Sequence, residues 1–184
     1  MATQIVDDTR LTAEQFLQIE FGPDVKAELD DGVIRMMSGG TRRHAKIQMN
    51  FYRFLGAALR GSGCEPYGSD FAIRTRDVSV RYPDVAIDCG TPLDDDKVLA
   101  SPRVVVEILS PSTRRHDLGV KLDEYRRVTT VDTIVFVDPE TERLRVLQRT
   151  GPGDWADRSF AEPTDLDLPS LGIAMPHAEI FAED

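Results

Sequence analysis

The chain is poor in the residues that build disulfide scaffolds and zinc sites. Its 184 residues hold two cysteines, Cys64 and Cys89, and three scattered histidines, at positions 44, 116 and 177. Two cysteines are too few for a disulfide framework or a structural zinc, and they read as buried or half-buried thiols in a reducing cytoplasm. No apolar run approaches the roughly 20 residues a membrane helix needs, so no membrane partner is expected. The opening MATQIVDDTR has no basic stretch followed by an apolar one, so no signal peptide is expected and the expected location is cytoplasmic. Internal repeats, low-complexity segments and the G-x-S-x-G turn of a serine hydrolase are absent too. At 41% hydrophobic and 29% charged, residues 1–184 suit one domain around one core.

Positive charge is also in short supply. A formal net charge of −10 weighs against a phosphate-bearing partner, but its distribution does not. Residues 1–31 carry −6 and residues 150–184 carry −7, whereas residues 32–60 carry +6 with no acidic residue. That basic block includes Arg42, Arg43, Lys46, Arg53 and Arg60, and it is where a nucleic acid could lie.

Periodicity and punctuation set the elements. Thr12 with Gln15 forms a capping box, and Phe16, Leu17 and Ile19 follow until Gly22-Pro23 stops the helix. Val25–Leu29 and Val33–Met37 around Asp30-Asp31-Gly32 predict a hairpin. After the loop Ser38-Gly39-Gly40, Thr41 caps a long amphipathic helix with Ile47, Phe51, Leu55, Ala58 and Leu59 on one side. Strands are predicted at 65–68, 71–74, 82–88, 104–109, 133–137 and 144–148, with a helix over about 114–127. Beyond Gly151-Pro152-Gly153 the chain reads as acidic and irregular, with Trp155, Leu166, Leu168, Leu171 and Ile173 packing on the core edge and one helical turn near 177–181. This order predicts a mixed central sheet between helices, an α/β (α+β) class, with an added N-terminal helix and hairpin.

Chemistry concentrates between Tyr82 and Arg127. The runs YPDVAID and RVVVEILSPST each place a carboxylate, Asp84 and Glu107, in an otherwise apolar strand, and RRHDLGVKLDEYRR follows. A carboxylate buried in such a strand is costly without a partner. Two on adjacent strands can hold a divalent cation, with the main-chain oxygen of Ile108 as a further ligand, since Mg²⁺ takes oxygen ligands and keeps several waters. A lysine beside them can position or deprotonate an attacking water. Lys121 is the candidate, and burial near a cation would lower its pKa toward that base role. The plainer alternatives are a salt bridge from Glu107 to Arg103 or Arg74, and a surface pair between Lys121 and Asp117.

These residues resemble the restriction-endonuclease-like PD…ExK nucleases. Pro83-Asp84 and Glu107-Ile108-Leu109 match that pattern except that leucine stands in the lysine position. Together with PDVAI, VVVEILSPST and a following D-x-x-x-K-x-x-x-Y helix, the chain resembles the Uma2 family of endonucleases, in which the lysine is relocated to that helix. Lys121, between Asp117 and Tyr125, falls at that place. The likeness covers roughly residues 12–150 and fades into the acidic extension 150–184. It implies that Glu28, in AELDDGVIRMMSG, and His44, in TRRHAKIQMNFYRFL, flank the site.

The resemblance implies a metal-dependent endonuclease hydrolysing phosphodiester bonds in DNA, with Mg²⁺ as cofactor and Mn²⁺ as substitute. Asp84 and Glu107 would be the metal ligands and Lys121 would stand beside the water. A homodimer would let both strands be cut. The alternatives are a catalytically inactive nuclease-fold module that binds nucleic acid or protein, and a phosphoesterase of small nucleotides.

Overall fold

In the computed structural model, which describes residues 10–22, 25–37, 39–91, 93 and 95–183, the first element forms where its capping box predicts it. Thr12 Oγ1 accepts from the Gln15 N–H at 3.2 Å, Gln15 Oε1 accepts from the Thr12 N–H at 2.9 Å, and α1 (Ala13–Leu17) follows. Pro23 and Ser38, read above as a helix stop and a loop residue, lie outside the described residues, as does most of the opening segment. β1 (Ala27–Asp30) and β2 (Val33–Met36) make the hairpin. Its turn residues Asp31 and Gly32 have φ of 48° and 82°. A two-residue hairpin turn needs positive φ at both places, which Asp-Gly supplies cheaply.

The long helix α2 (Arg42–Ala58) starts at Thr41, whose hydroxyl accepts from the His44 N–H at 3.2 Å. It buries Ile47, Phe51 and Leu55, with Leu59 buried at its C-terminal cap. Ala58 is exposed, and the polar Asn50 is buried instead. Next come β3 (Glu65–Gly68), β4 (Ile73–Arg76), β5 (Ser79–Arg81), β6 (Val85–Asp88) and β7 (Pro102–Ile108). The run read as one strand over 82–88 starts three residues later, because Tyr82, Pro83 and Asp84 turn the chain between two sheets. The helix expected over 114–127 is in three parts: α3 (Arg114–His116), a π-helical turn (Asp117–Lys121) and α4 (Leu122–Tyr125). β8 (Thr133–Asp138) and β9 (Arg143–Gly151) complete the expected set.

Six strands form the main sheet in the order β10-β9-β8-β7-β6-β3, with β10 defined below. Only β7 and β8 pair in parallel; every other neighbour is antiparallel, so the sheet is mixed as predicted. A second sheet runs β2-β1-β5-β4. β7 lies inside the main sheet and its side chains alternate. Val104, Val106 and Ile108 pack with the apolar stripe of α2. Val105 and Leu109 pack with Leu122 and Tyr125 of α4. Period-2 geometry puts Glu107 on this second side.

The C-terminal region corrects the irregular reading. β10 (Asp154–Phe160) pairs along β9, β11 (Leu166–Leu168) pairs with β12 (Ile173–Met175), and α5 (His177–Ile180) ends the chain's regular structure. Its order comes from burial: Leu166, Leu168, Met175 and Ile180 join the α2 side of the core. Asn50 secures it, donating from one amide to the carbonyls of Ile180 (3.0 Å) and Ala182 (2.9 Å). Asn50→Ala is expected to cost about 1–3 kcal/mol by leaving these groups unpaired. Thermal denaturation together with faster limited proteolysis beyond residue 176 is the check.

The cysteines also depart from expectation. Cys64 directly precedes β3 and Cys89 directly follows β6, and the pairing of Glu65 with Asp88 brings them face to face, where they form a disulfide. Register links them, although they are 25 residues apart. Among the described residues no helix is long and apolar enough to cross a membrane.

Candidate active site

The antiparallel register of β6 and β7 pairs Val85 with Val106. Continued by one residue, it sets Asp84 opposite Glu107 on one side of the sheet, the closest side-chain placement an antiparallel pair offers. Asp84 stands at the rim, partly exposed, while Glu107 is 3% exposed. Asp84 Oδ2 accepts from the Ile108 N–H at 2.7 Å and meets His44 Nε2 at 3.1 Å. The Asp84 hydrogen bond holds His44 above the usual imidazole range against the opposing effect of burial, helped by a main-chain hydrogen bond to Ile108. The Ile108 N–H therefore faces the site.

Glu107 Oε1 accepts from the Tyr125 hydroxyl at 2.6 Å and from Lys121 Nζ at 3.2 Å. Neither Arg103 nor Arg74 reaches it; they pair with Asp132 and Asp77. Burial pushes Glu107 up to about 8; Lys121 opposes this, and Asp84, Asp117 and Glu28 reinforce it. Lys121 is buried, and besides Glu107 it contacts Glu28 at 3.0 Å and Asp117 at 3.5 Å. The π turn brings it there: the Leu122 N–H bonds back to the Asp117 carbonyl, five residues away, and Asp117 and Lys121 both turn inward. Burial alone would lower the Lys121 pKa, but Glu107, Glu28 and Asp117 outweigh it and hold the pKa above the ordinary lysine value. In the metal-free protein the three carboxylates therefore decide the direction, against burial.

Leu109 is buried in the α4 side of the core. The lysine position of the ExK pattern is therefore filled by packing, and the ammonium comes from the helix beneath. The five predicted side chains Asp84, Glu107, Lys121, Glu28 and His44 converge through these contacts.

The comparisons bear on this arrangement. The family model Uma2, described as "Putative restriction endonuclease", matches residues 13–176. The chain belongs to the Uma2 family. Two uncharacterized proteins of Synechocystis sp. are similar over most of their length. One, slr1290, is 29% identical over 168 residues, covering 90% of this chain and 88% of the relative. The other, sll1609, is 26% identical over 149 residues, covering 79% and 84%. Among solved structures, the crystal structure of a "putative nuclease belonging to DUF820" from Anabaena variabilis superposes with a TM-score of 0.75 at 16% identity, over 94% of this chain and 98% of that one. At that identity the likeness shows a shared fold.

Around its Uma2 motif the chain holds residues that the sequence did not bring forward. Arg81 is fully buried on β5. Its guanidinium donates to both oxygens of Glu124 (2.7 and 3.1 Å), to Asp30 (2.6 Å) and to Glu28 (3.4 Å), and lies 3.3 Å from His116 Nε2. Glu28 also accepts from the Tyr82 N–H at 3.1 Å, so it joins Arg81 to Lys121. The one sequence signal for Arg81 was indirect: a helix rich in acids needs buried cations if its acids turn inward.

The donor set suits a hard divalent cation. Asp84, Glu107 and the Ile108 carbonyl offer oxygen only, the preference of Mg²⁺ and Mn²⁺. Among the described residues no three Asp, Glu, His or Cys side chains form a ready-made cage. Water would therefore complete the shell, as Mg²⁺ commonly requires. Charge points the same way. Glu28, Asp30, Glu107, Asp117 and Glu124 are buried carboxylates, against the buried cations Arg81 and Lys121. Added positive charge would be stabilising there.

Proposed function

We propose that the protein is a divalent-metal-dependent endonuclease that hydrolyses phosphodiester bonds in DNA. The observation that carries this reading is Asp84, at the bend before β6, set opposite Glu107 of β7 by the continued register of these strands, with Lys121 bridging Glu107 and Glu28. Asp84, Glu107 and the Ile108 carbonyl would hold the cation. When bound, it would supply Lewis-acid polarisation of the phosphoryl group and a more acidic water. Tyr125 fixes Glu107 by its hydroxyl, and the Ile108 N–H fixes Asp84. Lys121, kept protonated, neutralises charge developing on the phosphoryl oxygens and can orient the water through a donated hydrogen bond. The proton leaving that water must pass to solvent or a carboxylate. His44, whose pKa is raised by its hydrogen bond to Asp84, would add positive charge at the rim when protonated, where the backbone of the substrate would pass.

The direct test is nicking of supercoiled plasmid with Mg²⁺ or Mn²⁺. Lys121→Ala is expected to lose about 10²–10³-fold in rate, the usual loss on removing one preorganised stabiliser, and Glu107→Ala to be inactive. Equal rates in wild type and both variants would sink the assignment.

One observation favours a nuclease fold that binds without cutting. Arg43 pairs with Glu142 and Glu183, and Arg53 lies 3.8 Å from Glu179, so two arginines of the basic helix are engaged by acidic residues from the C-terminal part of the chain. The two readings separate by calorimetry with Mn²⁺: a cutting enzyme binds it at a site abolished by Asp84→Asn, and a silent module does not. Turnover of a small phosphodiester without nicking would instead identify a phosphoesterase of small nucleotides.

A further inference from the structure

We propose that Tyr52, Gln48 and Gly68 form a clamp that sets the Asp84 carboxylate by gripping its own main-chain carbonyl, making Tyr52 and Gln48 positioning residues for the metal-dependent reaction. The clamp rests on the reading that Asp84 is a metal ligand. Gln48 and Tyr52 lie four residues apart on α2 and so on one side of it. Tyr52 donates its hydroxyl to the Asp84 carbonyl at 2.8 Å. The Gln48 amide donates to the same carbonyl at 2.7 Å and to the Tyr52 oxygen at 3.0 Å. One carbonyl thus receives two donors, and the donors are tied to each other.

The position of the clamped group matters. Asp84 is not within β6; it occupies the bend just before it. Its side chain is oriented by the Ile108 N–H, but the peptide from which that side chain hangs is held by α2. The Tyr52 ring packs on the edge of the α2 side of the core, which leaves its hydroxyl and the Gln48 amide to be explained. Both residues are half-buried and line an open cleft of about 440 Å³ together with Pro66, Gly68, Ser69 and Asp70. Partial burial pushes the Tyr52 phenol up to about 12, so it stays a donor across the working range of pH.

Gly68 explains how the phenol fits. It pairs with Val85, the residue after Asp84, and a Cβ built on Gly68 would lie 2.4 Å from the Tyr52 oxygen and 3.3 Å from its Cζ. Any side chain there collides with the hydroxyl at the point where it reaches the carbonyl. Gly68 is thus needed for close approach of the hydroxyl.

The test uses the full chain and two readouts. The first is the amide proton shift of Ile108 in chelator, which reports the Asp84 Oδ2 bond without metal. The second is Mn²⁺ affinity by calorimetry. Gly68→Ala and Tyr52→Phe should each move the Ile108 amide toward its position in Asp84→Ala. Each should also weaken Mn²⁺ about tenfold or more, the usual cost of losing a partner that orients a ligand. Because the collision is with the hydroxyl, Gly68→Ala added to Tyr52→Phe should have little further effect. An Ile108 amide unmoved by either substitution, or a Gly68→Ala effect of equal size in both backgrounds, overturns the clamp. If wild type binds no Mn²⁺, the metal reading fails, and the Ile108 shifts still decide the clamp.

Discussion

Arg81→Met is expected to destabilise the protein by about 3–5 kcal/mol, the cost of removing one member of a buried ion network. For a chain of this size that is a fall in Tm of roughly 6–20 °C. The expectation rests on what the arginine leaves behind. Glu124, Asp30 and Glu28 are each at most 8% exposed. Without the guanidinium, Glu124 keeps only the Thr75 hydroxyl at 2.8 Å among its charged or hydroxyl partners, and Asp30 keeps the exposed Arg35. Arg81→Lys should recover only part of the loss, since one ammonium cannot reproduce the two-pronged contact with Glu124. Nicking should suffer beyond the loss of folded protein, because Glu28, released from Arg81, no longer fixes Lys121. Denaturation with Arg81→Met at the wild-type midpoint would show that the network is not what holds these carboxylates in the core.

How much of this was legible follows from the range of the interactions. Asp84 and Glu107 stand out in the sequence because a charge within an apolar strand conflicts with its neighbours, a conflict visible over a few residues. Lys121 was a candidate by its place after the two carboxylates and was singled out by a resemblance, since a lysine four residues after an aspartate on a helix is by itself an ordinary surface pair. Its carboxylate surroundings were hidden for the same reason. The sequence shows burial, which lowers a lysine pKa. It does not show that Glu28 from β1 and Glu107 from β7 arrive from 93 and 14 residues away to outweigh it. Arg81 escaped notice because Ser79-Val80-Arg81 alternates like any edge of a strand, and its partners come from β1 and α4. The cysteine pair is a matter of register, which depends on which strands become neighbours. The C-terminal strands β11 and β12 were missed because an acidic, turn-rich stretch hides three-residue strands anchored by only Leu166, Leu168 and Met175. The π turn has no compositional signature at all. Local conflict was readable; convergence from distant segments was not.

Glu107→Gln is expected to divide stability from function. The metal-free protein holds a proton on Glu107 up to about pH 8, whereas the unfolded chain releases it near the ordinary value of 4.5. The folded state therefore binds more protons between those values. The stability this group contributes is full below about pH 4.5 and is lost as pH rises to about 8, at no more than about 1.4 kcal/mol per pH unit. Glutamine has nothing to titrate, so in chelator the difference in stability, wild type minus Glu107→Gln, should fall across that window and level off above it. At pH 8.5 the variant should be the more stable of the two, while its nicking is abolished. Adding Mn²⁺ at that pH should reverse the order. Wild type gains about 2.7 kcal/mol at a hundredfold excess over Kd, and the variant, having lost a charged ligand, gains far less. Guanidinium-free thermal scans at several pH values, with chelator and with Mn²⁺, measure all of this. A pH-independent difference would mean that Glu107 is ionised throughout, with Lys121 alone sufficient to neutralise it. In that case the excess of buried carboxylates over buried cations would lose its force as an argument for a bound cation, and the nuclease reading would rest on the strand geometry of Asp84 and Glu107.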